Sequence, residues 1–188
     1  MKIAFDLDGV LHDWHGAVWK KYFMHEFNDY EVFWKEQWNS IDKERWQPIL
    51  HDEEMYTGDA LAPVVNMLHK LSLRYHIYYV TLRPQEFVDT TRKWLTRNGF
   101  PDPSHLFVVK HNKVPICQKL EIDLVVEDRI PIMSELADSG FQVLGVKQPW
   151  NEDEITEYPH VEGVLRLERE IARIESTRKA YRRRNGNS

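Results

Sequence analysis

The stretch that decides the fold is KIAFDLDGV, residues 2–10. Its apolar run stops abruptly at Asp6 and Asp8, a pattern that predicts a buried strand with acids at its carboxyl end. Gly9 lets the chain turn directly after the strand, so both carboxylates can converge on one pocket. Close carboxylates repel each other unless a cation lies between them or one of them holds a proton. We therefore expect a ligand site at the end of this strand.

Four more short apolar runs follow, and stretches of helical periodicity separate them. The predicted strands span residues 75–80, 105–109, 124–126 and 141–146. The predicted helices span residues 61–71, 87–95, 114–120 and 130–137. Strands that alternate with helices indicate an α/β fold, in which helices cover both faces of a parallel, Rossmann-like sheet. Ligands bind such sheets at the carboxyl ends of the strands.

Polar and charged residues end three of these strands, at the edge where ligands bind. They are Asp6, Asp8, Thr81, Arg83, Glu127 and Asp128. The four acids offer only oxygen ligands, a set that suits Mg²⁺ and disfavours zinc or copper. The hydroxyl of Thr81, the guanidinium of Arg83 and a lysine would suit a phosphoryl group. The sequence therefore predicts a magnesium site beside a phosphate site.

Residues 14–58 show no strand pattern and hold five of the seven tryptophans. Aromatic side chains recur there at helical spacing, a pattern typical of packed helices. No linker rich in Pro or Gly flanks the segment, so we interpret it as a helical cap inserted into one domain. The predicted division is a core of residues 1–13 and 59–177, a cap of residues 14–58 and a basic C-terminal tail of residues 178–188.

The composition indicates a globular protein, with 42% hydrophobic and 29% charged residues. Cys117 is the single cysteine, so an intramolecular disulfide is excluded, and a lone thiol suits a reducing compartment. The apolar runs are too short to cross a bilayer. We therefore expect a cytoplasmic protein without a membrane partner.

Charge is distributed unevenly along the chain. The net charge is −5, although residues 178–188 hold five basic residues and no acid. An acidic body argues against a duplex-binding module, which would present a broad basic face. The tail could contact nucleic acid, but we favour a solvated, fraying terminus.

Four segments resemble, in order, the motifs of the haloacid dehalogenase-like superfamily. They are Ala4-Phe5-Asp6-Leu7-Asp8-Gly9-Val10, Tyr78-Tyr79-Val80-Thr81, Asn112-Lys113 and Val125-Val126-Glu127-Asp128. Each segment alone is a weak signal, but all four at predicted strand and helix ends are a strong one. The resemblance covers nearly the whole chain.

Within that superfamily the chain resembles the 5'(3')-deoxyribonucleotidase group. Residues 6–14 are similar to the opening motif of the group, and Gln148-Pro149-Trp150-Asn151 is similar to a late one. The resemblance implies a Mg²⁺-dependent phosphomonoesterase that hydrolyses (deoxy)nucleoside monophosphates through an aspartyl-phosphate. The implied partner is a small-molecule nucleotide. Base preference, sugar preference, the 5' or 3' position of the phosphate and the oligomeric state stay open.

The resemblance also implies a role for each matching residue. Asp6 would be the nucleophile, and Asp8 the acid and base that moves protons. Trp14 would stack on the nucleobase. The implied phosphate ligands are Thr81, Leu82, Arg83 and Lys113, and the implied metal ligands are Asp6, Asp8, Glu127 and Asp128. Asp8 would bind through its backbone carbonyl, and whether Glu127 or Asp128 is the direct ligand stays open.

Simpler roles compete for several of these residues. Lys110 competes with Lys113 as the phosphate-binding lysine, and Asp128 could cap the helix that follows it. Arg83 could merely solvate its turn, and Thr81 could be an ordinary β-branched strand residue. The remaining candidates are His12 and His15, which we do not expect to be metal ligands.

Two other functions compete with the nucleotidase interpretation. One is a 3'-phosphatase that acts on nucleic-acid ends and docks them on the basic tail. The other is a catalytically silent nucleotide-binding protein on the same scaffold. Intact Asp6, Asp8, Thr81 and Lys113 argue against the silent protein.

Overall fold

A six-stranded sheet forms the centre of the computed structural model, which describes residues 1–61 and 63–185. Its strands are β1 (Lys2–Phe5), β2 (His76–Thr81), β3 (Leu106–Val108), β4 (Leu124–Glu127), β5 (Gln142–Val146) and β6 (His160–Val161). Neighbouring strands are parallel throughout, in the order β3-β2-β1-β4-β5-β6. The predicted α/β class with a parallel, Rossmann-like sheet is confirmed. Strand β6 was not predicted, because two residues are too short to show an alternating pattern.

The register of β1 brings the predicted site residues to one edge of the sheet. Phe5 pairs with Tyr79 of β2 and with Val126 of β4. Asp6 and Glu127, which follow directly, therefore leave adjacent strands at the same level. The chain runs outward from β1 through β2 to β3 and returns to β4 on the other side of β1. Ligands bind where the strand order reverses in this way.

The segment 14–58 consists of short helices in series. They are α1 (Trp14–Val18), α2 (Tyr30–Val32) and α3 (Lys43–Leu50). A π-helical turn extends α1 over Trp19–Phe23, and another extends α2 over Phe33–Gln37. Phe23 and Phe33 are fully buried, and their rings stack 4.7 Å apart. The segment has an apolar cluster of its own, separate from those of the sheet. The domain boundaries at residues 14 and 58 stay a prediction.

Helices cover both faces of the sheet. On one face lie α4 (Val64–Ser72), α5 (Val88–Arg97) and α8 (Leu167–Asn185). On the other face lie α6 (Val114–Leu120) and α7 (Ile130–Asp138). Side chains alternate along β1, so Ile3 and Phe5 face the first layer while Ala4 faces the second. Two apolar layers therefore hold the end of β1 rigidly in place.

Helix α8 includes most of the predicted basic tail. Residues 178–185 are helical, and residues 186–188 lie outside the described part of the chain. The guanidinium of Arg178 donates to the backbone oxygen of Asp123 at 3.2 Å and to its carboxylate. The segment is thus partly docked, where the sequence favoured a fraying terminus. Asp123 precedes β4, so this contact lies at the amino edge of the sheet, opposite the predicted site. Within residues 1–61 and 63–185, no helix combines the length and apolarity needed to span a membrane.

Candidate active site

Three acids meet at the carboxyl ends of β1 and β4. Oxygen atoms of Asp6, Glu127 and Asp128 all lie within 4.8 Å of one another, and the three side chains are buried. Gly9, with a φ of 84°, makes room for them, because a Cβ there would collide with the carboxylate of Asp128. The structure therefore brings together three of the four predicted metal-binding acids. Their oxygen-only donor set fits Mg²⁺.

Lys113, at the start of α6, is the lysine that reaches these acids. Its ammonium nitrogen donates to Asp6 Oδ1 and to Glu127 Oε2, each at 2.6 Å. Burial alone would lower the pKa of Lys113. The attraction of the two carboxylates outweighs this effect and raises the pKa of Lys113 above its ordinary value. Lys110, the competing lysine, is exposed and lines the mouth of the cavity.

The acids differ in how completely their oxygens are bound. Glu127 Oε1 accepts the backbone N–H groups of Asp128 and Arg129, and its Oε2 accepts Lys113. Asp128 Oδ1 is buried and has no hydrogen-bond partner among the described residues. Burial and the charges of Glu127 and Asp6 raise the pKa of Asp128 well above its ordinary value. Burial likewise raises the pKa of Asp6 to about 7, against the effect of Lys113. A divalent cation would relieve this repulsion.

The carboxylate of Asp8 lies outside the acid cluster. Its Oδ1 lies 2.6 Å from Nη2 of Arg83 and 2.8 Å from Nδ1 of His12. Burial opposes ionisation of Asp8, but Arg83 and His12 outweigh it and hold the pKa of Asp8 well below its usual range. In this arrangement Asp8 is a carboxylate, the form that accepts a proton.

The structure also places the remaining predicted phosphate ligands. Thr81 is buried, and Thr81, Leu82 and Arg83 all line the cavity. The nitrogens of Arg83 are directed at Asp8, His12 and Thr91. The side chain of Arg83 is fully buried, so it does not merely solvate its turn. The capping alternative for Asp128 is wrong: the N-cap of α7 is Arg129, and no side chain caps this helix.

A cavity of about 1040 Å³ opens between the acids and the segment 14–58. Trp14 lines it but is only 8% exposed, and its ring stacks against Trp46 and Tyr56 at 6.5 and 6.4 Å. His15 stacks on Trp150, with ring centres 3.6 Å apart. His12 and His15 lie outside the acid cluster that could hold a metal ion.

Sequence reasoning missed two residues of the site. Trp150 donates its indole N–H to Asp128 Oδ2, and Tyr56 lies against the guanidinium of Arg83. The similarity of the Gln148–Asn151 segment to a family motif was a signal for Trp150. No sequence pattern marked Tyr56.

Known proteins resemble this chain in sequence and in fold. No family model matches the chain. A nucleotidase from Clostridium acetobutylicum is 26% identical over 166 residues, 80% of this chain and 82% of that protein. A haloacid dehalogenase-like hydrolase from Streptococcus pneumoniae superposes with a TM-score of 0.63, at 15% identity, over 88% of this chain and 95% of its own. The chain has the haloacid dehalogenase-like fold.

A second solved structure supports the same assignment. A protein from Clostridium acetobutylicum, described as a predicted phosphatase, superposes with a TM-score of 0.64 at 16% identity, over 92% of this chain and 98% of its own. The resemblance to the haloacid dehalogenase-like superfamily, inferred from four motifs, is confirmed by these folds, and the resemblance to nucleotidases is confirmed by the sequence relative. The roles of the individual residues stay predictions.

Proposed function

We propose that the chain is a Mg²⁺-dependent phosphomonoesterase that hydrolyses nucleoside monophosphates through an aspartyl-phosphate on Asp6. One observation carries the proposal: Lys113 holds Asp6 within a buried cluster of acids at the carboxyl end of the central strand. The relative named as a nucleotidase supports a phosphohydrolase, and supports a nucleotide as its substrate.

Asp6 and Asp128 are the side chains that would hold Mg²⁺, together with the backbone carbonyl of Asp8. Glu127 has both oxygens engaged, whereas Asp128 keeps Oδ1 unpartnered among the described residues. We therefore assign the direct contact to Asp128 and the alignment of Lys113 to Glu127. When bound, the cation would neutralise charge on the transferred phosphoryl group.

The chain's own residues would then carry two steps. An oxygen of Asp6 bonds to phosphorus while the bond between phosphorus and the nucleoside oxygen breaks. The carboxyl group of Asp8, which takes up a proton from solvent once its ion pair with Arg83 loosens, gives that proton to the leaving oxygen. Water next gives its proton to the Asp8 carboxylate and attacks the aspartyl-phosphate, which frees Asp6. Lys113, the hydroxyl of Thr81 and backbone N–H groups after it stabilise the phosphoryl oxygens. The ion pair with Arg83 stabilises the carboxylate form of Asp8, which the second step needs. It must loosen before Asp8 can carry the proton of the first step.

The cavity supports a nucleotide rather than a small phosphate ester. Its roof is aromatic, including Trp38 and Trp46, both of which are partly exposed. Its rim carries Lys43, Lys110 and Arg129, none of which forms an ion pair within the described chain. Apolar faces would accept a base, and unpaired cations would attract an anion.

The contact of Arg178 argues against a 3'-phosphatase that docks nucleic acid on the basic tail. Arg178 binds at the amino edge of the sheet, whereas Asp6 lies at the carboxyl edge. A strand bound along residues 178–185 would therefore start on the wrong side of the molecule.

A panel of phosphate esters tests the proposal. Phosphate release is measured for nucleoside 5'- and 3'-monophosphates and for ribose 5-phosphate, with Mg²⁺ and after addition of EDTA. We expect phosphate to be released faster from nucleotides than from ribose 5-phosphate. We also expect EDTA to abolish this release. Absence of release from every ester, or release that EDTA does not affect, would contradict the proposal.

A further inference from the structure

The side chain of Arg83 is fully buried, and two of its three nitrogens donate hydrogen bonds to the carboxylate of Asp8. Nε donates to Oδ2 at 2.9 Å, and Nη2 donates to Oδ1 at 2.6 Å. The third nitrogen, Nη1, lies 3.4 Å from the hydroxyl oxygen of Thr91. A planar guanidinium bound in this way fixes both the position and the plane of a carboxylate.

Two aromatic rings lie beside the guanidinium of Arg83. Its Cζ is 5.1 Å from the ring centre of Tyr56 and 5.2 Å from that of Trp94. Both rings are buried, which strengthens a cation–π contact. Trp94 belongs to α5 of the core, whereas Tyr56 belongs to the segment 14–58. The two parts of the molecule therefore both touch the group that holds Asp8.

The position of Tyr56 depends on its own segment. Its hydroxyl donates to the backbone oxygen of Leu50, at the end of α3, at 2.8 Å. Its ring also stacks with that of Trp14, the first residue of α1. Any displacement of α1 or α3 would therefore shift the ring that packs on Arg83.

We infer that Arg83 is a positioning residue for Asp8 rather than a ligand of the transferred phosphate, and that Tyr56 ties this positioning to the placement of the segment 14–58. The inference rests on the proposed function, because Asp8 has a proton to move only if phosphoryl transfer occurs here. Every nitrogen of Arg83 is already directed at a protein group, which supports the positioning role.

The step that depends on this positioning is hydrolysis of the aspartyl-phosphate. A proton passes from water to the carboxylate of Asp8 as the water oxygen bonds to phosphorus. The bond between phosphorus and the Asp6 oxygen breaks, and its electron pair returns to the Asp6 carboxylate. A misplacement of about 1 Å at such a step can cost about 10²-fold in rate.

The structural half of the inference is tested without catalysis. The free energy of unfolding is measured for wild type, Asp8→Asn, Arg83→Lys and the double variant, and again in a Tyr56→Leu background. We expect the two substitutions to be coupled, and the coupling to shrink when the Tyr56 ring is absent. Tyr56→Phe, which keeps the ring, should keep the coupling. Additive effects of Asp8→Asn and Arg83→Lys would overturn the inference, and a coupling insensitive to Tyr56→Leu would overturn the part assigned to Tyr56.

The catalytic half is tested by separating kcat from phosphate binding. Arg83→Lys keeps the charge but not the planar fork, and it avoids leaving the partly buried Asp8 carboxylate unpaired. We expect kcat for a nucleoside monophosphate to fall by about 10- to 100-fold, while the inhibition constant of inorganic phosphate stays unchanged. Arg92→Lys is the matched control, since Arg92 is an exposed arginine of α5 outside the cavity.

The possible outcomes separate this inference from the proposed function. If Arg83→Lys weakens the binding of inorganic phosphate in proportion to its loss of kcat/KM, then Arg83 is a phosphate ligand and the inference is wrong. An unchanged kcat would also contradict it. If wild type releases phosphate from no ester, the proposed function fails, and the coupling measurement still decides whether Arg83 holds Asp8.

Discussion

The indole N–H of Trp150 donates to Oδ2 of Asp128 at 2.8 Å. This bond occupies one carboxylate oxygen of Asp128, while Oδ1 is buried and has no hydrogen-bond partner in the described chain. His15 stacks on a face of the same indole, with ring centres 3.6 Å apart. Trp150 would therefore orient Asp128 for the metal contact that we propose.

The first prediction separates Asp128 from Glu127. We expect Asp128→Asn to raise the Mg²⁺ concentration needed for half-maximal phosphatase activity by about tenfold or more, because it weakens a direct ligand. Trp150→Phe should raise it less, by loss of orientation alone. The measurement is a Mg²⁺ titration of activity at saturating nucleotide.

Glu127→Gln serves as the comparison in that titration. Its main expected effect is a lower kcat and a lower free energy of unfolding, because Lys113 loses one of its two carboxylate partners. A larger shift in the Mg²⁺ midpoint for Glu127→Gln than for Asp128→Asn would reverse the assignment of the direct ligand.

The second prediction concerns Trp14, which the family resemblance assigns to base stacking. We expect Trp14→Ala to lower the ratio of kcat/KM for a nucleoside monophosphate to that for ribose 5-phosphate by tenfold or more, as for a loss of about 1–3 kcal/mol of stacking. Because Trp14 is packed against Trp46 and Tyr56, the variant should also lose about 3–5 kcal/mol of stability.

Trp19→Ala is the matched control for Trp14→Ala. Trp19 belongs to the same apolar cluster but does not line the cavity. It should lose stability without a change in the substrate ratio. A ratio that falls equally in both variants, or in neither, would show that Trp14 only packs the segment.

The third prediction concerns the cations at the cavity rim. Glutamine substitutions of Lys43, Lys110 and Arg129 should raise KM for a nucleoside monophosphate with little change in kcat, because these side chains attract the anion without touching the reacting atoms. The increase in KM should become smaller as the salt concentration rises from low to physiological. Initial rates at several salt concentrations measure it.

Lys93→Gln controls for the loss of one positive charge from the protein. Lys93 is exposed on α5 and lies outside the cavity lining. A rise in KM for Lys93→Gln equal to that for the rim variants would mean that net charge, rather than the rim, steers the substrate.

The fourth prediction concerns pH and His15. Burial lowers the pKa of His15 to about 3, from an ordinary value of 6.5. Between these values the unfolded chain binds more protons than the folded one, so the contribution of His15 to stability is full above 6.5 and is lost as the pH falls toward 3. We expect the free energy of unfolding to fall by up to about 2 kcal/mol as the pH is lowered from 6.5 to about 5.

His15→Phe keeps an aromatic ring against Trp150 and removes the titrating group. The free energy of unfolding of this variant should depend less on pH than that of wild type between about pH 5 and 7. His25→Gln, a change at an exposed histidine, is the control. Identical pH profiles for wild type and His15→Phe would contradict the prediction.

The sequence predicted the acid cluster because strand ends can be located from apolar runs. Asp6, Glu127 and Asp128 each follow such a run, and parallel pairing then brings them together. The sheet and its flanking helices were predictable for the same reason. Strand β6 and the helical course of residues 178–185 were not, because neither shows a regular apolar pattern.

The surroundings of Asp8 could not be predicted in the same way. Strand β1 ends at Phe5, so the direction of the Asp8 side chain is set by the loop around Gly9 and not by strand alternation. Its partner Arg83 is 75 positions away along the chain, and Tyr56 reaches that pair from an inserted segment. Contacts of this kind depend on three-dimensional packing and leave no local pattern.

The initial rate of phosphate release from a nucleoside 5'-monophosphate, compared between wild type and Asp6→Asn at saturating Mg²⁺, tests the central claim most directly. We predict release by wild type and none by Asp6→Asn, with the free energy of unfolding lowered by no more than about 1 kcal/mol because charge repulsion at Asp6 is relieved. Asp138→Asn, a change at an exposed aspartate of α7, should match wild type. Release by Asp6→Asn at the wild-type rate would contradict the account.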